Sequence, residues 1–219
     1  MACLIEARNL ARVDSAGATT LLAATDLALH AGERLVIVGA SGSGKSVLLR
    51  ALALLDPPSS GEMLWQGEVV ATQRIPQYRS NVCYLAQRPA MIDGTVRANL
   101  ELPFTLKALH PRRFDAHAAG QLLEQAGKPA SFLDKSAADL SGGEAQIVAL
   151  IRVLQLAPQV ILFDEPTAAL DPQSAAAVER LVLDWCGPDH ALAWVTHDAQ
   201  QARRIGNRHL VMDQGRLQP

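Results

Sequence analysis

Leu35-Val36-Ile37-Val38-Gly39-Ala40-Ser41-Gly42-Ser43-Gly44-Lys45-Ser46-Val47-Leu48 is the stretch on which the fold turns. Its first four residues are apolar without a break, as in a parallel strand buried on both faces. From Gly44 the apolar spacing becomes helical, with Val47, Leu48, Leu52 and Leu55 on one side, and it halts at Asp56-Pro57-Pro58. Between strand and helix, residues 39–46 fit G-x-x-x-x-G-K-[ST], the phosphate-loop pattern in the context it requires. Backbone N–H groups must converge on phosphate oxygens there, so glycines have to allow close approach while the helix N-terminus adds its positive dipole. The candidate nucleotide-binding residues are therefore Gly39, Ala40, Ser41, Gly42, Ser43, Gly44, Lys45 and Ser46. Lys45 is expected to neutralise the β- and γ-phosphates, and Ser46 to place its hydroxyl on Mg²⁺. Taken alone, the loop also reads as a plain glycine turn.

Outward from this loop, residues 4–7, 27–30 and 34–38 read as strands bounded by turn residues, and further apolar strands are expected at 82–85, 160–163, 191–195 and 210–212. Helical patterns lie between them, which argues for an α/β sheet covered by helices. From Arg88 the strands stop; 95–100 and 114–127 look helical, punctuated by prolines at 103, 111 and 129. The expected organisation is one domain over 1–219, with an α/β core and β subdomain at 1–87 and 146–219 and an inserted helical subdomain at 88–145.

The apolar strand at 160–163 ends in Asp164 and Glu165. Ligand sites in open α/β sheets lie at the carboxyl ends of strands, so these acids point at the same crevice as the phosphate loop. Asp164 suits Mg²⁺ coordination, directly or through water. Glu165 suits orienting or deprotonating the attacking water. The plainer reading, an Asp-Glu pair that starts a helix with favourable charge, fits this segment in isolation.

Leu140-Ser141-Gly142-Gly143-Glu144 precedes a long helical pattern through Ile147, Leu150, Ile151 and Leu154. It offers a second glycine-rich helix N-terminus as an anion site, and Ser141 with Glu144 is also a capping box. At these residues the chain resembles the nucleotide-binding subunits of ATP-binding cassette (ABC) proteins, whose hallmark is LSGG-[QE] between phosphate loop and acidic strand. The resemblance covers essentially the whole chain and implies a P-loop NTPase fold: a RecA-like core with an antiparallel β subdomain and an inserted helical subdomain. It implies that Gln87 is the Q-loop residue, near Mg²⁺ and the attacking water, that Ala169-Leu170-Asp171 is the D-loop, and that His197 is the switch histidine. It also implies ATP as substrate and a head-to-tail pair of chains, most simply a homodimer. In that pair Ser141, Gly142, Gly143 and Glu144 of one chain close over the nucleotide held by Lys45 of the other. Two positions depart from the family. No aromatic residue precedes Trp65 to stack the adenine, Arg12 or Val13 standing near its place, and Ile147 replaces an often basic residue.

The resemblance further implies the ATPase subunit of a transporter that binds a separate integral-membrane permease through residues 89–99. Segments 86–100, 150–152 and 194–198 look most like those of FetA/YbbL-type subunits, associated with iron export. The alternative is a soluble ABC ATPase acting on nucleic acid or ribosomes. The formal net charge of -2, with both signs interspersed, gives no footprint for a polyanion, so no nucleic acid is expected. Cys3, Cys83 and Cys186 show neither metal-site nor disulfide spacing. The start MACLIEARNL lacks the form of a signal peptide, and no run nears the roughly 18 apolar residues of a spanning helix. The expected location is cytoplasmic, peripheral on the inner face of the cell membrane.

Overall fold

In the computed structural model, residues 1–14, 17 and 19–218 are described. The chain runs β1 (Cys3–Val13), β2 (Thr20–His30), β3 (Arg34–Val38), α1 (Lys45–Leu52), β4 (Ser60–Trp65), β5 (Glu68–Val69), α2 (Ile75–Asn81) and β6 (Val82–Leu85). There follow α3 (Val96–Glu101), α4 (Ala116–Gln125), α5 (Gly142–Leu154), β7 (Val160–Asp164), α6 (Pro172–Trp185), β8 (Ala191–Val195), α7 (Ala199–Ile205), β9 (Arg208–Asp213) and β10 (Arg216–Gln218). The architecture is the expected α/β one, a mostly parallel sheet beside an antiparallel one.

One compact unit comprises Met1–Tyr84, Gln159–Glu165 and Cys186–Pro219. Its six-stranded sheet has the order β10-β9-β3-β8-β7-β6, so β3 lies between β8 and β9, parallel to both. Strands β7 and β8 are buried along their whole length, which is why they read as unbroken apolar runs. Their register sets Asp164 opposite Val195. The second sheet, β2-β1-β4-β5, is antiparallel. The expected strands at 4–7 and 27–30 are the first part of β1 and the last part of β2, longer strands whose bulges break the alternation, with register shifts between Ala7 and Leu10 and again at Arg12. Strand β4 escaped the pattern because Ser60, Gly61 and Glu62 are exposed and only Met63, Leu64 and Trp65 are buried. One apolar core joins the two sheets and α1, with Ile5, Leu29, Leu48, Leu52, Val160 and Val195 among its members.

The other unit comprises Leu85–Pro158 and Pro166–Trp185. In it α3 and α4 pack against α5. The helix starts follow from their caps: the Thr95 hydroxyl accepts from Ala98 N–H, and the Asp115 carboxylate accepts from His117 and Ala118 N–H. Short 3₁₀ turns at 102–105, 107–109, 130–134 and 137–139 occupy much of the rest, and the one strand-like contact there is an isolated bridge between Thr95 and Ser136. Among the described residues, no helix is long and apolar enough to cross a membrane.

Candidate functional site

The phosphate loop leaves β3 at Gly39 and enters α1 at Lys45. Gly39 has φ 153°, and a Cβ there would collide with the Met212 carbonyl oxygen of β9, so no other residue fits without moving that strand. Lys45, only 6% exposed, donates from Nζ to the Gly39 and Ala40 carbonyls at 2.8 and 2.7 Å. An ammonium has three donors, so a further N–H can serve a phosphate oxygen lying over the loop. The Ser43 hydroxyl is buried beside Gly39 and has no partner among the described residues; an oxyanion seated in the loop could accept from it.

Across the crevice stands Asp164, the last residue of β7 and 5% exposed. Its Oδ1 accepts from Ser46 Oγ at 3.0 Å and its Oδ2 from the Tyr84 hydroxyl at 2.8 Å. Phosphate loop and acidic strand therefore meet, as their sequences foretold. The hydroxyl and carboxylate oxygens are the hard donors that Mg²⁺ selects. Among the described residues no group of three or more His, Cys, Asp or Glu could hold a metal ion. Tyr84 is a residue that motif reasoning missed. The one signal available was a phenol in an otherwise aliphatic strand, Val82-Cys83-Tyr84-Leu85.

Glu165 follows in the left-handed region at φ 47°, a conformation that costs a non-glycine residue about 1–3 kcal/mol. Its N–H donates to the Val195 carbonyl at 3.2 Å, so the adjacent strand pins the unusual backbone. Its carboxylate Oε2 lies 3.5 Å from Nδ1 of His197, whose side chain is 71% exposed. Two groups able to move or hold a proton thus stand side by side at the carboxyl ends of β7 and β8. The next residue, Asp198, caps α7 through Gln200 and Gln201 N–H, which fixes the chain on the far side of the histidine.

The remaining predicted residues lie in the other unit. Gln87 is exposed in the loop after β6. The Gln146 amide donates to the Ala86 carbonyl at 3.3 Å, and Arg152 donates to the Ala90 carbonyl at 2.9 Å, so α5 props this loop from two positions. Asn99, wholly buried, closes a ring with Ile92 through both its amide oxygen and its amide nitrogen. Ile147, one of the two departures from the family, is buried in α5, where an apolar side chain carries no desolvation penalty. The other departure, Arg12, pairs with Leu22 across β1 and β2, and its guanidinium donates to the Pro57 carbonyl.

Ser141 caps α5 in a complete capping box: its hydroxyl accepts from Glu144 N–H at 3.2 Å and its N–H donates to Glu144 Oε2 at 2.9 Å. A Cβ on Gly143 would sit 3.0 Å from both the Ala169 carbonyl oxygen and Leu170 Cδ2, so the signature glycine and residues 169–170 are pressed together. Asp171, exposed, caps α6 by accepting from Gln173 and Ser174 N–H and from the Ser174 hydroxyl. These bonds, the Ser174 hydroxyl first, hold the Asp171 carboxyl below its usual value.

Lys135 donates to both oxygens of Glu144 at 3.0 and 2.9 Å, with Lys128 at 3.6 Å. The Lys135 hydrogen bond, then that from Ser141 N–H, pulls the Glu144 pKa down from 4.5 to about 2. A depressed carboxyl contributes stability that is complete above its unfolded value and lost as pH falls through its folded one, here between about 4.5 and 2. Lys135→Met is expected to raise the Glu144 titration and shrink the acid-sensitive part of stability in that window. Melting temperatures of both proteins at pH 7 and pH 3.5 check this; an identical drop in the two would refute the assignment.

Residues 22–168 match the family model described as ABC transporter. The chain is 40% identical over 187 residues to the probable iron export ATP-binding protein FetA of Escherichia coli (strain K12), covering 85% of this chain and 82% of that protein. It is 35% identical over 226 residues to the L-cystine transport system ATP-binding protein TcyN of the same strain, covering 97% of this chain and 88% of that one. Among solved structures it superimposes, with a TM-score of 0.87, on the dimeric post-hydrolysis state of the ATP-binding cassette MJ0796 bound to ADP and Pi; identity is 26% and coverage 98% of both chains. A phosphate loop joined to an acidic strand, a glycine signature capping α5 and these likenesses agree: the chain belongs to the ABC transporter family, as one of its ATP-hydrolysing, ATP-binding subunits.

Proposed function

We propose that this chain binds MgATP in the loop 39–46 and hydrolyses it as half of a head-to-tail pair, to drive export of a metal, iron foremost, through a separate integral-membrane permease. The observation that carries the reading is the junction of Ser46 with Asp164 at 3.0 Å, with Glu165 and His197 next to it. In this reading Lys45 bears the phosphate charge, while Ser46 and Asp164 would hold Mg²⁺, whose charge would offset that of the phosphate oxygens. Glu165 orients the attacking water and His197 holds the terminal phosphate. Ser141, Gly142, Gly143 and Glu144, with Asp171, belong to the face that covers the partner's nucleotide, the dimeric cassette MJ0796 being the model for such a pair. The helical insertion at 88–145 carries the permease contact at 89–99, and the subunit works at the cytoplasmic face of the membrane. Iron as cargo is borrowed from the name of FetA.

Co-expression with a candidate permease should yield a membrane-bound complex whose ATP turnover responds to the metal, and deletion of the chain should raise cellular iron. A protein that stays soluble beside every candidate permease would refute the transport reading; unchanged iron would refute the cargo. Ile92 is 40% exposed in the proposed contact, on a loop that Asn99 keeps rigid. Ile92→Asp is expected to cut recovery of the complex by at least about 10-fold, since a carboxylate would be buried without a partner, while nucleotide affinity holds within 2-fold. Pull-down of the permease and an ATP titration measure the two.

A further inference from the structure

Asp164 is nearly removed from water, and each of its oxygens has a single named donor: Ser46 Oγ on Oδ1, Tyr84 OH on Oδ2. The two donors differ in kind. Ser46 opens α1 and belongs to the phosphate loop; Tyr84 comes from β6 and has no part in any of the motifs. Arg50, four residues after Ser46 and so on the same face of α1, grips Asp56 through two bonds of 2.8 Å. The Arg50 charge also acts on the Tyr84 hydroxyl. A carboxylate can only accept, so the Tyr84 phenol gives its proton to Asp164.

Resting on the MgATP reading of the site, we infer that Tyr84 is a positioning residue for the divalent cation: by occupying Oδ2 it locks the Asp164 carboxylate with Oδ1 turned to Ser46, the pair that would hold the cation. Partners of this sort, bound to a ligand rather than to the metal, typically change metal affinity on the order of 10- to 100-fold when removed. Tyr84 also lies three residues before Gln87 on the same short stretch of chain.

The test is equilibrium binding of a fluorescent ATP analogue to the whole chain, titrated with Mg²⁺ and repeated in EDTA. Tyr84→Phe keeps the ring and removes only the hydroxyl. The expected result is an approximately 10-fold rise in the Mg²⁺ concentration needed for half-maximal tightening, with affinity in EDTA unchanged within 2-fold. In an Asp164→Asn background Tyr84→Phe should add nothing, because the carboxylate it positions is gone. An equal loss of affinity in EDTA and Mg²⁺ would make Tyr84 a general packing residue and overturn the inference, as would an unshifted Mg²⁺ midpoint. Wild-type protein that binds no nucleotide, or binds it without regard to Mg²⁺, would instead overturn the reading of the site itself. A melting curve of Tyr84→Phe separates a folding defect from either outcome.

Discussion

Glu165→Gln is expected to lower ATP turnover by at least about 100-fold while leaving ATP affinity within a few-fold of wild type, the loss proper to a missing general base. The amide keeps the size of the side chain and can still accept one hydrogen bond, but its oxygen is no longer basic. The substitution leaves the backbone alone: the left-handed turn at 165 is held by the Val195 carbonyl rather than by the side chain. Ground-state binding and pairing of chains should therefore survive, and ATP should accumulate in a stable dimer. Phosphate release, ATP titration and light scattering with and without ATP measure the three properties. Turnover within 2-fold of wild type would remove Glu165 from its proposed role and shift attention to His197, 3.5 Å away.

Lys45→Ala should act on binding itself. A hydrogen bond to a charged group contributes about 1.5–3 kcal/mol, so the loss of one Lys45–phosphate contact corresponds to roughly 10- to 150-fold in ATP affinity. The Gly39 and Ala40 carbonyls lose their donor in the same stroke, so the loop also loosens. A drop in melting temperature is expected without nucleotide, and the shift on adding ATP should nearly vanish. Unchanged ATP affinity would contradict the assignment of Lys45.

The candidate site residues could be named from the sequence because each motif is local. The loop 39–46, the pair Asp164-Glu165 and the capped start of α5 are each contained in a few consecutive residues, and together they narrow readings that each segment alone leaves open. The buried strands β3, β7 and β8 announced themselves because burial on both faces forbids polar residues. What stayed hidden depends on contacts between distant positions. Nothing in the sequence 82–85 says that the Tyr84 hydroxyl reaches residue 164, 80 positions on. Nor does Glu165 advertise its left-handed backbone, since that conformation is imposed by β8 and not by any preference of glutamate. The Gly143 approach to residues 169–170 is likewise a matter of three-dimensional fit.

On the proposed reading, the cluster around Glu144 sets the field that the partner chain's nucleotide would meet. A carboxylate at the third position of a helix that is to face a triphosphate looks like an obstacle. Here it is shielded at short range: Lys135 grips both its oxygens, Lys128 stands behind, and both ammonium groups lie over the ring of Phe132 at 5.3 and 5.5 Å. One negative charge beside two positive ones leaves a surplus of one positive charge at the start of α5. An approaching phosphate would therefore meet a net positive charge rather than a bare carboxylate, while Glu144 stays bonded to Ser141 at the helix start.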